Sequence, residues 1–73
     1  MPNTNLRGTD FSHANLTNTN IRGADLRNAD LSGTTLRGAD FSEANLCSAD
    51  LSSATLSDTT LGDANLTKVH FNY

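Results

Sequence analysis

The chain has 73 residues and a net charge of -3, which bounds it at one small domain with a modest core. The mildly acidic balance argues against a nucleic-acid-binding surface, which is normally basic. A single cysteine, Cys47, excludes an intrachain disulfide and a cysteine-rich metal site.

Met1–Asn3 reads as a short lead-in, and residues 4–73 read as one repeating unit. From Leu6 onward a large apolar residue recurs at every fifth position. The centres are Leu6, Phe11, Leu16, Ile21, Leu26, Leu31, Leu36, Phe41, Leu46, Leu51, Leu56, Leu61, Leu66 and Phe71. Two positions before each centre stands a small residue: eight Ala, five Thr and finally Val69. Between the two stands a polar residue: five Asn, five Asp, three Thr and His70. No apolar stretch along the way is long enough for a membrane span, and the N-terminus lacks the apolar core of a secretory leader. The expectation is a cytoplasmic protein without a membrane partner.

A period of five fits neither regular element. On an α-helix five residues turn the chain by roughly 500°, so successive centres sit about 140° apart and make no apolar face. On a straight strand an odd step sends successive centres to opposite faces. A hybrid satisfies the pattern. Three residues of strand place the small residue and the centre inward and the polar residue outward. Two further residues then turn the chain. They are rich in turn formers, as in Arg7-Gly8, Arg22-Gly23, Ser32-Gly33 and Arg37-Gly38. Repetition winds the chain into a coil with the centres inside, each coil bonded to the next at about 4.8 Å. The interior has room for one large and one small residue per side, which explains why Leu, Ile, Val and Phe together number only 15.

The units ADLRN, ADLSG, ANLCS and ADLSS resemble the repeats of the pentapeptide-repeat proteins, and the likeness runs from Thr4 to Tyr73. The resemblance implies an all-β fold, a right-handed quadrilateral β-helix with four repeats per coil. Over residues 4–73 that makes about three and a half coils. Residues twenty apart then stack. Inner columns are Leu6, Leu26, Leu46, Leu66, then Phe11, Leu31, Leu51, Phe71, and so on round the coil.

The outward columns follow from the same count. Asp10, Asp30 and Asp50 align, ending near His70, and form the candidate acidic interaction column. Like charges one strand spacing apart repel, so the column is either a negative ridge or a by-product of frequent outward Asp. The resemblance implies a use for such a ridge, since some pentapeptide-repeat proteins resemble DNA in shape and charge and inhibit DNA gyrase. The mimics of that type are longer and dimerise through an added C-terminal element. Arginines dilute the field in the first half: residues 1–37 carry four Arg against three Asp, and residues 38–73 one Lys against five acids.

No catalytic, cofactor or metal site is expected. His13 and His70 are far apart and fall at outward positions, and Cys47 follows a centre with no base near it in sequence. The tracts Asn15-Leu16-Thr17 and Asn65-Leu66-Thr67 fit a glycosylation acceptor but arise from the repeat itself. Open coil ends expose unpaired edges. The aromatic pair Phe71 and Tyr73 marks a candidate end-to-end contact, through either a second copy or further coils of a longer protein. The functional expectation is a non-enzymatic rod that presents polar faces to a protein partner of unknown identity, with self-association through the coil ends and no direct nucleic-acid binding. The alternative is a DNA-mimicking regulator of DNA gyrase or another DNA-binding protein.

Overall fold

The computed structural model describes residues 1–71. Asn72 and Tyr73 lie outside the described residues, and with Tyr73 half of the expected end-to-end contact.

The chain closes on itself every twenty residues. Parallel bridges join Asn5 to Asp25, Asp10 to Asp30, Asn15 to Thr35 and Asn20 to Asp40, and each series continues in the same register. Five residues per side and twenty per register step give four walls. The first carries Asn5, Asp25, Asn45 and Asn65, the second Asp10, Asp30, Asp50 and His70. The third carries Asn15, Thr35 and Thr55, and the fourth Asn20, Asp40 and Thr60. The outward columns therefore fall where the sequence puts them. The expected three-residue strands are shorter: each side of a coil holds one bridged residue, the outward polar one. The reason lies in the corners. The centre's carbonyl and the small residue's N–H are committed to the turn, as in Ala14 N–H to Phe11 O at 2.9 Å and Ala29 N–H to Leu26 O at 3.0 Å.

Between coils the backbone pairs fully. Leu26 N–H donates to Asn45 O at 2.8 Å, Asn28 N–H to Cys47 O at 3.1 Å, and Asn45 N–H to Ala24 O at 2.9 Å. The same three bonds recur on each side, so even the corner residues are tied to the coil above.

Each corner is a four-residue turn from centre to small residue, and its third residue is left-handed. All fourteen such positions, from Asn3 to Lys68, have φ between 57° and 70°. Positive φ at the third residue alone is the mark of a type II turn, which favours Gly or Asn there. Only Gly8, Gly23, Gly33 and Gly38 are glycine. Asn and Asp tolerate the conformation, but His13, Glu43, Ser48, Ser53 and Lys68 adopt it without that advantage. Gly33 has a second constraint: a Cβ there would lie 2.5 Å from His13 Nδ1, one coil below.

The core is the set of centres and small residues that fill the lumen, one of each from every side. Leu26, Leu31 and Leu36 are 0% exposed, and Leu51 is 3% exposed. The small positions Ala24, Ala39 and Ala49 are equally sealed. Thr34, also fully buried, satisfies its hydroxyl on Phe11 O at 3.0 Å, and Thr59 does the same on Leu36 O at 2.8 Å. Burial fades toward both ends, where Leu6, Phe11, Leu16, Leu56, Leu61 and Phe71 are only partly covered and Leu66 is 38% exposed. The body is squat, 25 × 22 × 19 Å, because a coil is as wide as the stack is tall.

Two outcomes follow for stability. Leu46→Ala, at a 1% exposed centre, costs about 2–5 kcal/mol in thermal or denaturant unfolding, and Leu66→Ala less than half of that. At the corners, Ser53→Gly raises the melting temperature by relieving a left-handed residue, whereas Gly33→Ala lowers stability by roughly 1–2 kcal/mol, the cost of that conformation for an L-residue.

Candidate functional site: the acidic wall

The outward residues of the walls are braces as well as surface. An Asp or Asn at the bridged position accepts, on Oδ1, the N–H of the residue two further on, which is the first corner residue. Ser12 N–H reaches Asp10 at 2.9 Å, Ser32 N–H reaches Asp30 at 3.0 Å, and Ser52 N–H reaches Asp50 at 2.9 Å. The amide version is the same: Cys47 N–H on Asn45 Oδ1 at 3.1 Å and Thr67 N–H on Asn65 Oδ1 at 3.0 Å. This Asx-type closure explains why the position is so often Asp or Asn and seldom another polar residue.

On the second wall the brace is doubled. The hydroxyls of Ser12, Ser32 and Ser52 each donate to the same Oδ1 at 2.6 Å. Each carboxylate is thereby fixed by two donors, with Oδ2 left for solvent. These three serines are the functional neighbours that sequence reasoning passed over. Their signal is the recurring Asp-x-Ser spacing at 10–12, 30–32, 40–42 and 50–52.

The electrostatics of the wall are set by those bonds. Asp10 and Asp50 are held below the ordinary carboxylate range, first by the serine hydroxyl, next by the serine N–H, and in smaller part by His13 and His70 respectively. At Asp10 and Asp50 the two donors on one oxygen outweigh the opposing effect of desolvation. Asp40 on the fourth wall is lowered in the same way by Ser42, with help from Arg22.

The arginines divide the walls. Arg27 grips Asp25 with Nε at 2.9 Å and Nη2 at 2.7 Å, and takes that carboxyl down to about 2. Arg22 lies 3.5 Å from Asp40 and 3.4 Å from Glu43. Among the described residues, no Lys or Arg forms an ion pair with Asp10, Asp30 or Asp50. The acids of the first and fourth walls are partly neutralised, and the second wall keeps all three charges.

The other flagged residues sit apart from this wall's carboxylates or at its margins. Cys47 is half-buried at a corner, 3.8 Å from the Ser48 hydroxyl, and its column neighbour is Arg27. Asn15 and Asn65 spend their side-chain oxygens on Thr17 and Thr67. Phe71 is half-buried against the last core residues. Among the described residues, no group of three or more His, Cys, Asp or Glu side chains is placed to hold a metal ion.

A family model described as pentapeptide repeats, eight copies, matches residues 2–33, 24–63 and 35–72. This chain belongs to the pentapeptide-repeat family. Members fold as right-handed quadrilateral β-helices and generally serve as structural or interaction modules. Among solved structures the repeat chain is similar to QnrB1, a plasmid-mediated fluoroquinolone resistance protein, at 28% identity and a TM-score of 0.60, over 96% of this chain and 38% of that one. It is also similar to Rfr23 from the cyanobacterium Cyanothece 51142, at 35% identity and a TM-score of 0.48, over 96% and 45%. A third is HetL, a pentapeptide repeat protein involved in heterocyst differentiation regulation from the cyanobacterium Nostoc sp. strain PCC 7120, at 28% identity and a TM-score of 0.45, over 92% and 38%. The pentapeptide-repeat chain thus spans less than half the length of each of these solved chains. No curated protein matches it.

The carboxyl shifts fix an acid response. Asp25 ordinarily titrates near 3.8 and does so near 2 when folded, so its contribution is complete above about pH 4 and is lost as the pH falls toward 2. Asp10, Asp40 and Asp50 act in the same direction. Thermal melts from pH 7 to pH 2 show stability falling below pH 4, and Asp25→Asn flattens that fall while leaving the neutral-pH fold intact.

Proposed function

We propose that this pentapeptide-repeat chain is a non-enzymatic interaction module: a short, rigid β-helical rod of about three and a half coils that presents polar walls to a protein partner and associates with a second copy through its coil ends. The observation that supports this reading most directly is the fixing of the walls. Backbone bonds join every coil to the next, and the outward Asp and Asn side chains are held by the turns they close. Such a surface loses little side-chain freedom when a partner docks, which favours recognition by shape and charge.

A second reading is supported by the uncompensated charge of Asp10, Asp30 and Asp50 and by the likeness to QnrB1. In it the acidic wall stands in for a phosphate backbone, and the chain regulates DNA gyrase or another DNA-binding protein.

A supercoiling assay with DNA gyrase separates the two. The first reading expects no inhibition at any salt. The second expects inhibition that fades as salt rises, since exposed charges more than about 10 Å apart are largely screened at 0.1 M. The triple substitution Asp10→Asn, Asp30→Asn, Asp50→Asn sharpens the test. It retains the Oδ1 acceptors that close the turns and removes only the charge, so a mimic loses inhibition while its melting temperature stays close to that of the parent.

A further inference from the structure

The four walls carry unequal charge. Counted over the five residues of each side, the first wall has Arg7, Arg27 and Lys68 against Asp25, a net +2. The second has Asp10, Asp30 and Asp50, a net -3. On the third wall Arg37 offsets Asp58, and on the fourth Arg22 draws on Asp40 and Glu43. The strongest opposite charges therefore stand on neighbouring walls. Both are available for a contact. Among the described residues, no Lys or Arg pairs with Asp10, Asp30 or Asp50, and Arg7 forms no ion pair. Arg27 holds Asp25 with Nε and Nη2, which keeps Nη1 for a second carboxylate.

We propose that the second wall of one copy docks side by side on the first wall of another, and that this contact closes a ring of four parallel copies. It rests on the reading of the walls as docking faces and names a second copy of this chain as the occupant. Charge selects the pairing: the second wall against itself apposes only carboxylates, and the first against itself apposes mainly cations. Spacing selects it as well. Arg7 and Arg27 lie twenty residues apart, as do Asp10 and Asp30, so both columns repeat at the coil spacing of about 4.8 Å. Each Arg also precedes its Asp by three residues. With two copies level, Arg7 stands at the height of the neighbour's Asp10 and Arg27 at that of its Asp30.

The section of the coil sets the closure. The two docking faces differ, so the contact is heterologous, and such a contact makes a ring where its rotation closes. Neighbouring walls of a four-sided tube face directions a quarter turn apart. Each added copy therefore turns by a quarter, and the fourth meets the first. A ring about a rotation axis has no offset along that axis, which keeps the copies level and the two columns in register. Area makes the ring cooperative. One wall of a body 25 × 22 × 19 Å across offers on the order of 400 Å², about half of the ~800 Å² per partner in a standard stable interface. Exposed ion pairs add little singly. A lone pair of copies is thus weak, whereas each member of the closed ring makes two contacts.

Sedimentation equilibrium and native mass spectrometry of the 73-residue chain test this. The expected result at low salt is a monomer–tetramer equilibrium with little dimer or trimer, the larger species four times the 7.8 kDa of the monomer. Its apparent association constant falls at least tenfold between about 20 and about 300 mM NaCl. Two charge variants, Arg7→Gln with Arg27→Gln and the triple Asp10→Asn, Asp30→Asn, Asp50→Asn, stay monomeric at concentrations where the parent is tetrameric, with melting temperatures close to the parent's. Arg37→Gln, on the third wall, remains tetrameric. An assembly that stops at two or grows past four overturns the ring. Dissociation by Arg37→Gln but not by the Arg7 and Arg27 pair overturns the assignment of the first wall. Monomers throughout overturn the ring alone, since a different protein still fits the walls. Association unchanged in the triple Asp variant overturns the second wall as a docking face as well.

Discussion

The fold depends on a single constraint: the backbone of each coil must bond to the coil twenty residues away. A lumen filled by four centres and four small residues per coil cannot supply a large apolar core, and only seven of the fourteen centres are buried. What the interior lacks in bulk is made up in regularity. Each side contributes three inter-coil bonds and one turn bond, every one between 2.7 and 3.2 Å. Individually such bonds are worth about 1 kcal/mol net, but leaving one unmade in a closed stack costs more than its presence contributes. The sequence is therefore repetitive because any slip would break a whole column of bonds at once.

The same constraint explains the corners. A turn short enough to begin a new wall every five residues requires a left-handed third residue, and the protein accepts this at fourteen positions with only four glycines. Ten non-glycine residues in that region are tolerable because stacking holds the backbone from above and below. Those four left-handed glycines occur only in the first two coils. At Gly23, Gly33 and Gly38 they also leave room for a side chain from the preceding coil. At Gly62 the φ is not positive, so that glycine has no such role in the turn.

Much of this was legible in the residues. The period of five and the direction of each side chain follow from bulk, smallness and polarity in fixed order. The number of sides does not, because a five-residue side closes equally well on paper into a triangle or a pentagon. The twenty-residue register comes from the geometry of the turn, which no single repeat reveals. The role of the bridged polar residue was also hidden. An Asp that faces water and an Asp that closes the next turn look alike in a sequence, and the difference shows only in the serine two residues later. For that reason the stacked carboxylates read as a column of repulsion, whereas at Asp10 and Asp50 the donors from Ser12 and Ser52 hold the carboxyls below their ordinary range.

That dual use limits where recognition can be written on the molecule. A bridged Asp or Asn cannot be exchanged for any outward residue without loosening a corner, and a centre or small residue cannot change without opening the lumen. The first corner residue has neither duty: its side chain is outside, and the fold needs only its backbone N–H and carbonyl. These positions carry Arg7, Ser12, Thr17, Arg22, Arg27, Ser32, Arg37, Ser42 and Cys47 in succession. They also decide the character of each wall. Arg27 neutralises Asp25, Arg22 draws on Asp40, and the serines beside the second wall hold its carboxylates in place without cancelling them. A solenoid of this kind sets its scaffold with three residues of each five and its surface with the corner, so the charge that a partner meets is governed by residues that contribute least to folding.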